Sequence, residues 1–182
     1  MGQYWYPVNL DKKEFVHPHK LGSGLKLWEQ LANHPGTGAV LVILMAAMPE
    51  TRGGGDFDLE RNWHGPERTF PKYSATSGPM PTEYPAIASA TIGRWAGDRI
   101  ALVGDYAEEG DLPNADASKI YALCCTEEDD LEKYPEDYIG ITKDDLYTDI
   151  TDMVRAVIEH ELCGKFVGDG WCDFVYDGDK ED

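Results

Sequence analysis

The sequence predicts an α+β fold: a single compact domain on a largely antiparallel sheet, with about three helices and a long ordered loop rich in glycine, proline and aromatic residues. β-Favouring runs lie near both ends of the chain, and segments with apolar residues at helical spacing lie between them. No glycine-rich fingerprint joins a strand to a helix, as a doubly wound nucleotide fold requires: "GSG" at Gly22–Gly24 and "RGGG" at Arg52–Gly55 lack the spacing and the phosphate-loop lysine. At 182 residues the chain has the size of one domain and buries a core without disulfide or metal. Residues 1–176 are read as that domain, 49–94 as its loop excursion and 177–182 as an acidic tail.

Tyr4 to Leu10 is aromatic or β-favouring, "DKK" breaks the run, and Glu14 to His17 resumes it, the pattern of a β-hairpin. Pro7 removes one ladder donor, which predicts a sheet-edge or bulged position for the first arm and a peripheral hairpin. After "HPHKLG", Ser23 is placed to cap a helix with apolar residues at Leu25, Trp28, Leu31 and Ala32, ending before "NHPG". Thr37 is placed to cap a second helix through the apolar run to Met48, stopped by Pro49. Its alanines, methionine and length favour helix, while Val40, Val42 and Ile43 also suit a buried strand, so residues 38–48 stay open between the two.

Between Pro49 and Arg94, prolines and glycines are too frequent for a long regular element, yet Trp63, Phe70, Tyr73 and Tyr84 are too aromatic for a plain linker. An ordered excursion packed over the domain is expected, with a helical turn around "AIASATI". Farther on, "DRIALVGDY", "KIYALCC" and "DYIGIT" read as strands. Asp149 or Thr148 then caps the clearest helix, with Ile150, Met153, Val154, Val157, Ile158 and Leu162 at helical spacing and Gly164 as its stop. "WCDFVY" is the last strand.

The opening "MGQYWYPVNLDKKEFVHPHKLGSGLKLWE" and the run "GRWAGDRIALVGDY" at Gly93–Tyr106 resemble a group of uncharacterised microbial proteins with a similar first segment and a similar tryptophan-glycine-aspartate approach to a strand. The resemblance covers about the first 30 residues and that second run. It implies a natural domain type and transfers no catalytic residue or cofactor.

Lys and Arg number 16 against 34 Asp and Glu, a formal charge of −18, which repels nucleic acid and anionic membrane and attracts cations or a basic partner. Tyr4, Trp5 and Tyr6 are followed at once by Pro7, Asn9 and Asp11, not by the apolar core of a signal peptide, so a soluble cytoplasmic protein is expected. Tyr6 occupies the position where a myristoylation motif needs Ser or Thr. Gly38–Met48 is about half the roughly 20 residues of a membrane span. Cys124, Cys125, Cys163 and Cys172 form no CxxC pair, which favours reduced thiols over a disulfide framework or zinc ribbon.

The pattern "HPHK" carries the chief candidate site. Proline stiffens the local backbone, so His17 and His19 can project from one corner as a metal pair, an acid–base pair or hydrogen-bonding groups of a structural turn. Asp105, at the end of a predicted strand, is the candidate third ligand or base for a divalent metal; no other cofactor is expected. "HEL" at His160–Leu162 fails as a zinc-protease helix because Gly164 stands where the second histidine belongs, and His160 is better explained by a helix C-terminus. Asp98 in "AGDR" suits a turn, with Arg94 or Arg99 available to neutralise Asp98 or Asp105. A Cys163–His160 pair is sterically allowed but opposed by the helix dipole. No nucleophile elbow or calcium-loop register is present, and no catalytic residue is assigned.

Three functional readings follow. The first is a non-enzymatic interaction or structural domain whose aromatic N-terminal edge and apolar Gly38–Met48 segment contact a protein partner or a second copy. The second is a metal-dependent enzyme, such as a hydrolase, using His17 and His19. The third is an acidic decoy mimicking nucleic acid.

Overall fold

Tyr6 and Val8, two residues apart on one strand, face the same way and together with Phe15 and Val103 cover a helix through Ala117, Ile120 and Cys124. That packing organises the first half of the computed structural model, which describes residues 3–22, 26–47, 84–168 and 171–176. Strands β1 (Trp5–Asn9) and β2 (Glu14–Phe15) form the expected hairpin. β1 also pairs antiparallel with β3 (Ile100–Gly104), and β2 pairs in parallel with β6 (Thr148–Asp149), giving the order β3-β1-β2-β6. Short antiparallel pairs join β4 (Glu109–Leu112) to β5 (Ala115–Asp116), and β7 (Gly164–Val167) to β8 (Asp173–Tyr176). The α+β class holds.

The hairpin is not peripheral: β1 is an inner strand of the sheet. Pro7 is accommodated because it lies just past the last β2 residue that pairs. Its carbonyl accepts from the Val16 amide at 3.0 Å, and only the reciprocal bond to Val16 is missing.

Six α-helices among the described residues, against about three expected, complete the fold: α1 (Leu27–Ala32), α2 (Thr37–Met45), α3 (Tyr84–Thr91), α4 (Ala117–Cys124), α5 (Glu128–Lys133) and α6 (Thr151–Glu161). The open run at 38–48 is therefore helical from Gly38 to Met45, and Ala46 leaves the helix in an extended conformation. "KIYALCC" belongs to α4 instead of a strand, because Asp116 caps it by accepting from the Lys119 amide at 3.0 Å and its buried residues, Ala117, Ile120, Leu123 and Cys124, recur at helical spacing. "DYIGIT" makes turns, with the Asp137 and Ile141 amides bonded to the Tyr134 and Tyr138 carbonyls, and leaves Ile139 exposed. Gly164 does not stop α6. Cys163 takes the left-handed φ of 51°, freeing Gly164 to open β7 where a side chain would strike Phe174. Ser23, the 49–83 part of the expected excursion and the tail 177–182 lie outside the described residues; the excursion's end is α3.

The larger core cluster gathers Val40, Ile43 and Leu44 of α2, Tyr84 and Ala88 of α3, Val154, Val157 and Ile158 of α6, and Trp95, which is fully buried. The segment Gly93–Asp98 ties this cluster to the hairpin. Its Gly93 and Trp95 amides satisfy the Ile43 and Leu44 carbonyls at the end of α2, at 2.9 and 2.8 Å. Arg94 and the Trp95 indole both donate to the buried carboxylate of Glu14. Asp98 accepts from the buried Asn9 amide at 2.7 Å and from Lys12, as the turn reading of "AGDR" expects. The arginines behave otherwise than expected: Arg94 neutralises Glu14 and Arg99 pairs with Asp11, so neither serves Asp98 or Asp105.

Candidate functional site

The "HPHK" corner begins where β2 ends. The Lys20 amide donates to the His17 carbonyl at 3.2 Å and the Leu21 amide to the Pro18 carbonyl at 3.1 Å, closing a tight turn around the proline. Two distant segments clamp that turn. The His17 amide donates to Thr151 Oγ1 at 2.8 Å at the start of α6, and the His19 carbonyl accepts from the Cys172 amide at 2.9 Å. Asp149 fixes the threonine in turn, accepting from its amide at 2.9 Å and from its hydroxyl.

The two imidazoles come together, with ring centroids 5.4 Å apart. His17 Nε2 lies 3.2 Å from the Tyr6 hydroxyl, so this imidazole is partnered by a phenol from β1. His19 stacks on Trp171 at 4.1 Å and meets the edge of Tyr4 at 4.6 Å. Asp105 reaches the same neighbourhood: it accepts from the Tyr4 amide at 3.0 Å, and its charge favours protonation of His19 without overcoming burial. Burial first, then the electrostatic effect of the neighbouring His19 and Lys20, pulls the His17 pKa below the usual histidine value. Burial does the same to His19, and both rings are neutral at neutral pH. His17 Nδ1 and His19 Nε2 are buried and have no hydrogen-bond partner among the described residues.

His17 also lines a cleft of about 580 Å³ together with Tyr6, Lys20, Cys125, Lys143 and Asp149. Two ion pairs lie on its walls, Lys20 with Asp149 at 2.8 Å and Lys143 with Glu128 at 2.9 Å, and Glu127 lines it as well. Burial raises the Asp149 pKa, but the hydrogen bonds from Lys20 and Thr151 outweigh it and hold the carboxyl below its usual range. Cys125 Sγ lies 3.9 Å from the Tyr6 hydroxyl, and burial, then the neighbouring thiol, pushes the Tyr6 phenol well up. None of the four cysteines forms a disulfide.

Thus His17, His19 and Asp105 meet at one end of the sheet, and sequence reasoning missed the three side chains that hold them there: Tyr6, Thr151 and Trp171. Among the described residues no group of three or more His, Cys, Asp or Glu is arranged to hold a metal ion. His160 occupies the last turn of α6, as its helix-end reading expects, and stacks on Tyr84 at 3.6 Å. Cys163 Sγ lies 3.8 Å from the His160 carbonyl.

A second region stands out by its lack of charge. α2 contains no charged residue from Thr37 to Met45 and is apolar on every side, yet Val42 is 69% and Met45 50% exposed. Beside them Trp28 of α1, expected to face inward, is 79% exposed. A largely apolar groove of about 510 Å³ runs between α1, α2 and α6, walled by Leu31, Ala39, Val42, Ile43, Ile158 and Leu162, with Asn33, His34 and Glu161 also on its lining. No helix among the described residues is long and apolar enough to cross a membrane. Compared with known proteins, the chain matches no family model, no curated protein and no solved structure.

Proposed function

We propose that this chain is a non-enzymatic interaction domain that docks a protein partner through the α1–α2 face. The observation that carries the reading is the exposure of Trp28, Val42 and Met45 around an apolar groove, on a helix that is apolar all round. A solitary surface helix keeps a polar side toward water; one without it gains stability when that side is covered. Exposed tryptophan beside a groove is also the residue type and shape that concentrates binding energy. The test is titration with a dye-labelled amphipathic helical peptide built from leucine, glutamine and balanced lysine and glutamate, uncharged overall so that the −18 charge of the protein does not attract it. Saturable binding, read by anisotropy and abolished by Val42→Glu, is expected. If the peptide fails to bind and the protein forms no assembly of its own, the reading is wrong.

A second reading has support in the paired neutral imidazoles: His17 Nδ1 and His19 Nε2, both without partners among the described residues, are lone-pair or N–H groups suited to a shared ligand such as a divalent metal. Its test is the melting temperature of untagged protein with Zn²⁺, Mn²⁺ or Mg²⁺, since a ligand of the native state alone raises stability. No shift with any of the three counts against it.

A further inference from the structure

We infer that the two imidazoles of the corner are a chelating pair for a nitrogen-seeking divalent cation, Zn²⁺ being the type, and that Tyr6 positions one of them; the inference rests on the metal reading above. Donor chemistry gives the first argument. Imidazole nitrogen suits Zn²⁺, Cu²⁺ and Ni²⁺, whereas Mg²⁺ and Mn²⁺ take carboxylate, carbonyl and water oxygens. The atoms left over at the corner are of the first kind: His17 Nδ1 and His19 Nε2 are buried and have no hydrogen-bond partner among the described residues. No third His, Cys, Asp or Glu among those residues stands where it would complete a metal site, so the protein supplies two nitrogens and water the remaining positions. Asp105, held by the Tyr4 amide at 3.0 Å, adds its charge beside His19 and not a ligand. Lys20, the next residue, is matched by Asp149 at 2.8 Å.

Spacing gives the second argument. A Zn–N bond of roughly 2.1 Å puts the ion roughly 3.2 Å from the centre of each ring, and tetrahedral coordination then sets the two centres about 5.3 Å apart. The rings of His17 and His19 stand 5.4 Å apart. The backbone that carries them is held from two sides, by Thr151 Oγ1 on the His17 amide at 2.8 Å and by the Cys172 amide on the His19 carbonyl at 2.9 Å. The rings have supports of their own. A cation on Nδ1 leaves the His17 proton on Nε2, and the Tyr6 oxygen is 3.2 Å away to accept it. Such an outer hydrogen bond fixes the tautomer and the ring orientation of a metal-binding histidine. Trp171, stacked on His19 at 4.1 Å, holds the second ring.

Isothermal titration of the whole untagged protein with ZnCl₂, MnCl₂ and MgCl₂, in a buffer that does not bind metal, tests this. The expected result is a single Zn²⁺ per chain, bound more tightly than Mn²⁺ or Mg²⁺ by about a hundredfold or more. His19→Gln, checked for unchanged circular dichroism, is expected to abolish saturable zinc binding. Tyr6→Phe removes no ligand and is expected to weaken zinc binding by about 10–100-fold. The preference among metals is read on the wild type alone, so it decides the matter even where a variant misfolds. Zinc bound unchanged by the His19→Gln chain is an ion on the acidic surface and overturns the inference, and zinc affinity unchanged in Tyr6→Phe overturns the role of Tyr6. Mn²⁺ or Mg²⁺ bound as tightly as Zn²⁺ overturns the nitrogen preference and leaves the metal reading standing; a chain that binds none of the three overturns both.

Discussion

Arg94 grips Glu14 with two nitrogens: Nε lies 2.9 and 3.0 Å from the two carboxylate oxygens and Nη2 lies 2.5 Å from one of them, while the Trp95 indole donates to the same carboxylate at 2.8 Å. Glu14 is buried, so its charge depends on these three donors, and they come from the segment that also closes the end of α2. Arg94→Ala leaves that carboxylate buried and unpaired, and a loss of about 3–5 kcal/mol in urea unfolding is expected. Arg94→Lys keeps the charge but not the fork, and it is expected to recover only part of the loss.

Thr151 is fully buried and receives the His17 amide while donating to Asp149. Thr151→Val keeps the shape and strands that amide, at an expected cost of about 1–3 kcal/mol. Tyr6→Phe removes the phenol facing His17 Nε2 and is expected to cost about 1 kcal/mol. Thermal unfolding of the two variants and their double mutant checks whether the losses add. Additivity would show that the two anchors of the corner act independently.

Acid should loosen the corner before it affects the carboxylates. Burial lowers the folded-state pKa of His17 and of His19 below the unfolded value of about 6.5. The unfolded chain then takes up protons first as pH falls. The stability contributed by the neutral rings is complete above about pH 6.5 and is lost as pH falls through the lowered folded-state values. The lowered carboxyls of Asp149, Asp98 and Asp145 add a separate loss at lower pH, below about 4. Urea stability measured from pH 7.5 to 5 should fall for the wild type and stay flatter for a His17→Gln, His19→Gln double variant. An identical slope in both would contradict the assignment.

A methyl group at Gly164 would lie 2.6 Å from both the Phe174 ring and the Val175 carbonyl. The carbonyl belongs to the paired strand and cannot step aside without breaking the β7–β8 ladder. Gly164→Ala is therefore expected to cost about 1–3 kcal/mol, read as a lowered urea midpoint with an unchanged slope.

The parts of the fold legible in the sequence are those whose signal is local. α6 shows its period in Met153, Val154, Val157 and Ile158, and the hairpin shows its break at Asp11–Lys13. "KIYALCC" misleads because a short continuous apolar run fits either element; the deciding clues, Asp116 as a cap and the spacing of Ala117, Ile120 and Cys124, begin just before it. The central place of β1 depends on Ile100–Gly104 arriving alongside, which no local pattern states. In the site, His17, His19 and Asp105 are visible as residue types in suggestive places. Their supports are not, since Thr151 lies 134 residues from His17, and Tyr6 reads as an ordinary strand aromatic. Gly38–Met48 was legible as an apolar segment, but the exposure of Trp28 was not, because its helical spacing with Leu31 mimics a core stripe and nothing local says which way a six-residue helix turns.

The inner position of β1 also sets the order of events during folding. Its two neighbours are β2, five residues on, and β3, which begins at Ile100; β2 in turn awaits β6 at Thr148. A hairpin of this length is marginal by itself, so β1 is made before the distant strands that complete its sheet. Loop-closure entropy must be met before those pairings reward the chain, which makes sheet assembly the slow step and local helices such as α6 early ones. Until β3 is made, Trp5, Tyr6 and Val8 sit on an open strand edge, the kind of surface that is prone to aggregation.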